Sequence, residues 1–372
     1  MPEHDHHRKP YDSGTSDKLF LYRNYLREWL PVFLNKADIE TIHVFDFFAG
    51  PGCDSDGKAG SPVIACEELT NALLTHGDKP HAPVQLFFNE FHTHKYNLLT
   101  KRLALFDPLP SRVEIVHCNL DFKEAFASWL PIMTKPGVAN LLFFDQNGVK
   151  FVSPEVFKRV IDIPKTDFMF FISSSTVNRF KEEPEIRRFV PVSDNDCARM
   201  NGTNVHRLVA ESYRRLIPKG RTYYLSPFSI RKNANMYGLI FGSAHPLGVD
   251  KFQKQCWKLD KIWGESNCGD LDGEGIDSQQ PSLWAEMDKP NKLKMFEQEL
   301  AAAITRRKVQ TNKDVYLFSL EFGVLPEHAK TAFKHMMEEG RLPRQKMPNI
   351  SYDAWKPQNP AQMIQLFPKA TP

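Results

Sequence analysis

Asp46 stands within the run Val44-Phe45-Asp46-Phe47-Phe48-Ala49-Gly50-Pro51-Gly52, where an apolar strand pattern breaks into two glycines. Glycine lets a backbone pass close to a ligand and turn its amides toward it. Asp46, Phe48, Gly50 and Gly52 are therefore candidate ligand contacts at a strand end, with an ordinary strand-to-helix turn as the alternative. A dinucleotide site needs a third glycine in a GxGxxG pattern, and here Cys53-Asp54 follow instead. A pyrophosphate favours an anion-accepting turn, whereas the Asp46 carboxylate suits a cationic amino group. A methionine-type ligand, S-adenosylmethionine, meets both conditions.

Three further strand ends carry polar groups. Phe87-Phe88-Asn89-Glu90 closes the second apolar run, and a carboxylate there can accept both hydroxyl hydrogens of a ribose. The alternative for Glu90 is a solvated strand end. Cys118-Asn119-Leu120-Asp121 follows the third run; Asn119 and Asp121 are each either a contact to an adenine edge or a helix cap. Phe143-Phe144-Asp145-Gln146-Asn147-Gly148 closes the fourth. A carboxylate and its neighbours can accept hydrogen bonds from an exocyclic amine and take up positive charge there. Asp145 is the candidate catalytic residue, with Gln146, Asn147 and Phe151 as acceptor contacts; the alternative is a turn that closes the strand.

These groups need a sheet to hold them. Apolar residues at three- and four-residue spacing (Leu19, Tyr22, Leu26, Trp29, Leu30, Phe33) predict a helix over 19–33. Strand-like runs at 42–48, 84–89, 113–116, 141–144 and 168–172 alternate with helical patterns from 61 and at 93–105, 123–130 and 154–161. That rhythm predicts βαβ crossovers and a parallel sheet. Residues 173–201 read as an inserted loop or short helices. A helix at 205–216, two strands at 221–226 and 236–242, and a helix at 250–263 follow. Two strands so closely joined pair antiparallel. The expected fold is α/β, a Rossmann-like seven-stranded sheet of the class I methyltransferase kind. Helical patterns at 292–305, 314–322 and 327–339, with Gly323-Val324-Leu325-Pro326 between the last two, suggest a C-terminal winged-helix or helix-turn-helix-like module. The expected organisation is an N-terminal helix (1–40) on a main domain (41–267), a linker (268–290), the small module (291–345) and a proline-rich tail (346–372).

The Tyr25–Trp29 region, the DFFAGPG turn, Gly60-Ser61-Pro62, Phe88-Asn89-Glu90, FFDQNG, the stretch 228–237, Cys256-Trp257 and the C-terminal helices together resemble the three-Cys-motif partner proteins (TcmP) over about residues 15–340. That family is named for association with a separate protein bearing a three-cysteine motif, an iron–sulfur protein of radical type, so the resemblance implies such a partner. Amino-methylating nucleic-acid enzymes typically carry a DPPY-like run at the fourth strand; here only Asp145 remains, unless Phe151 replaces the stacking ring. Cytosine-carbon methylation needs a Pro-Cys nucleophile, and none of the six cysteines follows a proline.

With a net charge of +3 the whole-chain field neither requires nor excludes a nucleic-acid partner, so local clusters carry that argument. Arg306-Arg307-Lys308, with Arg341, Arg344 and Lys346, flank the small module's last helices. Arg179, Arg187 and Arg188 lie in the insertion near Phe180 and Phe189, and Arg231 and Lys232 mark a hairpin. Such groups can neutralise phosphates and stack unpaired bases; protein docking by the module and a solvated loop diluted by Glu182, Glu183 and Glu185 are the alternatives. The cysteines are scattered without a CxxC pair, which suits reduced thiols in a cytoplasmic protein. His4, His6 and His7 read as a solvated tail rather than a metal site. No apolar run approaches the roughly 20 residues of a membrane span, so no membrane contact is expected. The sequence thus points to S-adenosylmethionine-dependent methylation of an amino group in nucleic acid. The rival expectations are a non-catalytic partner subunit and a methyltransferase acting on protein or a small molecule.

Overall fold

The computed structural model describes residues 9–76, 82–146, 148–269, 271–275 and 290–367. Seven strands form one sheet in the order β3-β2-β1-β4-β5-β7-β6. They are β1 (Thr41–Asp46), β2 (Val84–Asn89), β3 (Val113–Cys118), β4 (Val138–Phe144), β5 (Thr166–Ile172), β6 (Tyr224–Lys232) and β7 (Asn235–Ser243). The first five run parallel, joined by crossover helices α2 (Ser61–His76), α3 (Thr93–Leu103), α4 (Phe122–Met133) and α5 (Pro154–Asp162). β7 pairs antiparallel with β6, as the short hairpin requires, and also with β5. The chain winds outward from β1 to β3 and then returns to the other side of β1. The carboxyl ends of β1 and β4 therefore flank a topological switch point, the place where open α/β sheets bind ligands.

β1, β4 and β5 are buried along almost their whole length, which is why their sequences are near-continuous apolar runs. On one face phenylalanines stack across strands: Phe45 on Phe87 at 4.4 Å and Phe47 on Phe144 at 4.9 Å, with Trp129 of α4 against them. Between β5 and β7, Phe168 lies opposite Gly242, where a Cβ would come within 2.2 Å of the Phe168 ring.

The first helix, α1 (Ser13–Leu34), is capped by the Asp12 side chain, which accepts the Thr15 N–H at 2.7 Å. Its Tyr25 hydroxyl and Trp29 indole donate to the buried Asp167 carboxylate at 2.7 and 3.0 Å, tying α1 to β5. The insertion is not a loose loop. It folds into α6 (Ser174–Arg179), α7 (Pro184–Phe189) and α8 (Asp194–Arg199), and Val177, Val190, Cys197 and Met200 join the core. Asp196 organises it, accepting from the Ser193 N–H and hydroxyl and pairing with Arg215. Helix α9 (Val205–Arg214) then leads to β6.

The chain divides into two compact units, Met1–Ala244 and His245–Pro372. This departs from the domain end expected at 267. Helix α10 (Pro246–Leu259) belongs to the second unit because its polar side chains are committed there: Gln253 donates to the Leu320 carbonyl at 2.7 Å, and Asp250 accepts the Tyr316 hydroxyl at 3.1 Å. The unit also holds α11 (Asn291–Thr305), α12 (Asn312–Phe322), α13 (Pro326–Glu338) and the short α14 (Tyr352–Trp355). Gly323, in the left-handed region at φ 79°, ends α12 and allows the tight turn into α13. Within this unit Thr311 and Met363 form an antiparallel bridge. The tail folds back on the helices, burying Ile350, Ala354 and Ile364. Most of the expected linker, and His4, His6 and His7, lie outside the described residues. None of the described helices is long and apolar enough to cross a membrane.

Candidate functional site

The turn after β1 is held from several sides. Gly50 and Gly52 adopt φ values of 62° and 84°, open to glycine without strain. The Gly50 N–H donates to Glu90 Oε2 at 2.9 Å, and Glu90 Oε1 accepts the His92 N–H at 2.8 Å, so the carboxylate that ends β2 is pinned against the glycine turn. Asp54 gathers the backbone N–H groups of Tyr11, Asp56 and Lys58 at 2.8–3.0 Å. Arg102 of α3 donates to the Pro51 carbonyl. At Gly60 a Cβ would stand 2.9 Å from the Tyr11 hydroxyl and 3.0 Å from the Gly52 carbonyl, so only glycine lets the loop close.

Asp46 is fully buried. Its Oδ1 accepts the Phe48 N–H at 3.1 Å, and its Oδ2 has no hydrogen-bond partner. Burial pushes its carboxyl up to about 7; the Ser61 hydroxyl and the Phe48 N–H pull it back, Asp145 raises it and Lys18 lowers it. The Tyr22 hydroxyl, which feels the Asp46 charge, is also buried without a partner. Orphaned buried polar atoms are costly, and here they sit at the switch point, as an absent polar ligand would leave them. A cationic amino group fits this donor and acceptor set, and Glu90 still has free lone pairs for ribose hydroxyls.

Asp145 forms an ion pair with Lys18 of α1, whose ammonium also lies 5.2 Å from the centre of the Phe171 ring. Lys18, Tyr22 and Tyr11 were not singled out from sequence. Lys18, Tyr22 and Tyr25 share one helical face at four- and three-residue spacing, and polar groups on an otherwise apolar face were the available signal. Phe91 was also missed. It follows Glu90, is 61% exposed and meets the His92 ring edge-on at 5.4 Å, beside the candidate ribose anchor.

Other predicted contacts serve the scaffold. Asn119 donates to the Glu90 and Phe91 carbonyls at 2.6 and 2.7 Å and accepts the Thr93 hydroxyl, which spends both amide hydrogens. Asp121 caps α4 in a capping box with Glu124. Gln146, expected to meet an acceptor, is a buried clamp: it donates to the Phe171 carbonyl at 2.8 Å and accepts the Phe151 N–H at 2.8 Å. Asn147 lies outside the described residues. Phe48 stacks on Phe122 at 5.4 Å and meets Phe151 at 5.1 Å.

The basic candidates separate into neutralised and exposed groups. Arg187 pairs with Glu182 and Asp194, and Lys232 with Asp12 while donating to Thr15 at 3.1 Å; both hold the fold together. Arg179, Arg188 and Arg231 are exposed. Arg306, Arg307 and Lys308 are exposed at the end of α11 in the second unit. All six thiols are free, with Cys66 pushed up to about 12 and Cys118 to about 11 by burial. Among the described residues no three His, Cys, Asp or Glu side chains gather as a metal site.

No protein-family model matches this chain, and no curated protein does. Similar solved structures include Trm1 from Pyrococcus horikoshii in complex with S-adenosyl-L-methionine, at 12% identity and a TM-score of 0.38 over 69% of this chain and 62% of that one. A putative O-methyltransferase from Klebsiella pneumoniae aligns at 13% identity and 0.31, over 63% of this chain and 90% of that one. Spermidine synthase in complex with the transition-state analogue AdoDATO aligns at 15% and 0.33, over 65% and 67%. The aligned part thus spans less than two thirds of the length of the first of these.

Proposed function

We propose that the chain is an S-adenosylmethionine-dependent methyltransferase that acts on an amino group in nucleic acid, in association with a three-Cys-motif iron–sulfur protein. The observation that carries the reading is the buried Asp46 carboxylate with its open Oδ2, beside a glycine turn pinned by Glu90. The bound cofactor would supply a methyl group on a sulfonium. Asp46 would hold its amino group, Glu90 its ribose hydroxyls, and Phe48 and Phe91 would flank its base. Asp145 would accept a hydrogen bond from the acceptor amine, directing the lone pair and taking up positive charge as it develops. Lys18 positions that carboxylate. The helical second unit, with its tight turn between α12 and α13, suits a helix-turn-helix-like docking module.

Calorimetric titration with S-adenosylmethionine and its demethylated product tests the cofactor, with Asp46→Ala and Glu90→Ala as controls. Binding by the wild type that is lost in both variants supports the reading, and radiolabelled methyl transfer to RNA or DNA then tests the substrate. No binding by the wild type overturns it. The second reading is a non-catalytic platform that recruits the iron–sulfur partner, and the Lys18–Asp145 pair across the acceptor position favours it. Cofactor binding without transfer to any acceptor, partner present, would decide for that platform.

A further inference from the structure

Beside the candidate site, a groove of about 240 Å³ opens between the start of α4, the segment after β4 and the end of α7. Its walls include the rings of Phe122, Phe151 and Phe189, and its rim carries Lys123, Lys150 and Arg188. All three cations are exposed and none forms a salt bridge with a described residue. Their neighbour Arg187 differs, being neutralised by Glu182 and Asp194. One carboxylate, Glu155, faces the three cations; the Ser153 hydroxyl is the main cause holding it below its usual range. The groove is contiguous with the candidate site, because Phe151 touches Phe48 at 5.1 Å and its N–H is held by Gln146, next to Asp145.

We propose that this groove binds one nucleotide of a single-stranded nucleic acid, its base against Phe151 and Phe189 and its flanking phosphates on Lys123, Lys150 and Arg188. Unneutralised cations around an aromatic wall match a polyanion whose units each present a flat ring. The volume falls below the roughly 300–1,000 Å³ of sites that enclose a free small molecule, which suits one unit of a chain that continues beyond the groove. Duplex is disfavoured, because its bases are stacked away from such a wall. Glu155 offers an acceptor for a base amine. The inference rests on the nucleic-acid part of the proposed function and is independent of the cofactor.

The test is fluorescence anisotropy of the full chain with labelled single-stranded RNA and DNA, each with its duplex as comparison, over a range of salt. Removing three phosphate contacts in Lys123→Ala/Lys150→Ala/Arg188→Ala should weaken binding roughly fiftyfold at physiological salt and make the salt dependence shallower by about 2. An unchanged far-ultraviolet spectrum and melting point establish that this surface variant is folded. Preference for RNA or for DNA identifies the strand, and either supports the proposal if the groove variant loses it. Three results overturn it: no single-strand binding by the wild type, wild-type affinity in the groove variant, or a loss confined to Arg306→Ala/Arg307→Ala/Lys308→Ala in the second unit. Calorimetry on the same preparations separates the readings, since cofactor binding without oligonucleotide binding defeats the groove alone.

Discussion

Asp46→Asn should stabilise the protein above about pH 5 while abolishing its hold on a cationic ligand, and the two effects have one origin. The Asp46 carboxyl is raised to about 7 by burial, against an ordinary value of 3.8. A carboxyl whose folded-state value is raised binds its proton more tightly in the native state, so it adds stability below the unfolded value and loses it as pH rises through the folded one. At about 1.4 kcal/mol per pH unit, the ionised carboxylate costs the fold about 4 kcal/mol at pH 8. Asparagine never ionises, but its buried amide hydrogens bring a pairing cost of about 1–3 kcal/mol. The net gain at pH 8 is about 2 kcal/mol, or about 5 °C in Tm. At pH 4 only the amide cost remains, so the variant melts below the wild type and the curves cross near pH 5. Ligand binding supplies the second half of the test. If an ammonium needs Asp46 ionised, wild-type affinity for S-adenosylmethionine falls up to about tenfold per pH unit from 7 to 5. Thermal melts and calorimetry across pH 4–8 check both. A variant less stable than the wild type at pH 8, or an affinity flat between pH 5 and 7, would refute the argument.

Lys18→Met removes the partner of Asp145 and a charge that lowers the Asp46 carboxyl; the midpoint of cofactor binding against pH should move upward, and methyl transfer should fall about tenfold or more at saturating cofactor, read in the same titration and a transfer assay. Asn119→Ala leaves the Glu90 and Phe91 carbonyls without their donor; stability should drop by about 1–3 kcal/mol in urea, and cofactor affinity should weaken with it. Gly242→Ala drives a methyl into the Phe168 ring; it should cost about 1–3 kcal/mol, and Phe168→Leu in the same chain should restore part of the loss.

How much of this was legible depended on the range of the interaction. β2, β4 and β5 could be read because burial on both faces writes itself as a nearly unbroken apolar run. β6 was placed too early and cut short, since Pro227 and the Arg231-Lys232 pair break the pattern. The sheet order explains their tolerance: β6 is an edge strand, where a missing N–H costs no ladder bond and charges reach solvent. Glu90 and Asp46 were legible as strand-end carboxylates, but the partners of Gln146 and Asn119 were not, because a polar residue at a strand end reads alike whether it faces a ligand or a neighbouring carbonyl. Helix α10 carries the same apolar spacing whichever unit it joins, and only its partners assign it.

Lys18 was the hardest to see, because it meets Asp145 across 127 residues of chain. Its significance comes from what fixes α1 rather than from the pair itself, since a partly exposed ion pair contributes only about 0–1 kcal/mol. Beyond Lys18 in the chain, Tyr25 and Trp29 grip the Asp167 carboxylate, whose value burial raises to about 6. Before it, Asp12 and Thr15 meet Lys232, and a Cβ at Gly14 would come within 2.6 Å of the Arg231 carbonyl oxygen, so the helix lies directly on the β6 backbone. Lys18 and Tyr22 lie between these two anchors and are carried to the ends of β4 and β1 by a helix fixed on both sides. In the Arg231-Lys232 hairpin, a candidate phosphate contact in the sequence, Lys232 and the Arg231 backbone also seat this helix, while the Arg231 side chain is exposed.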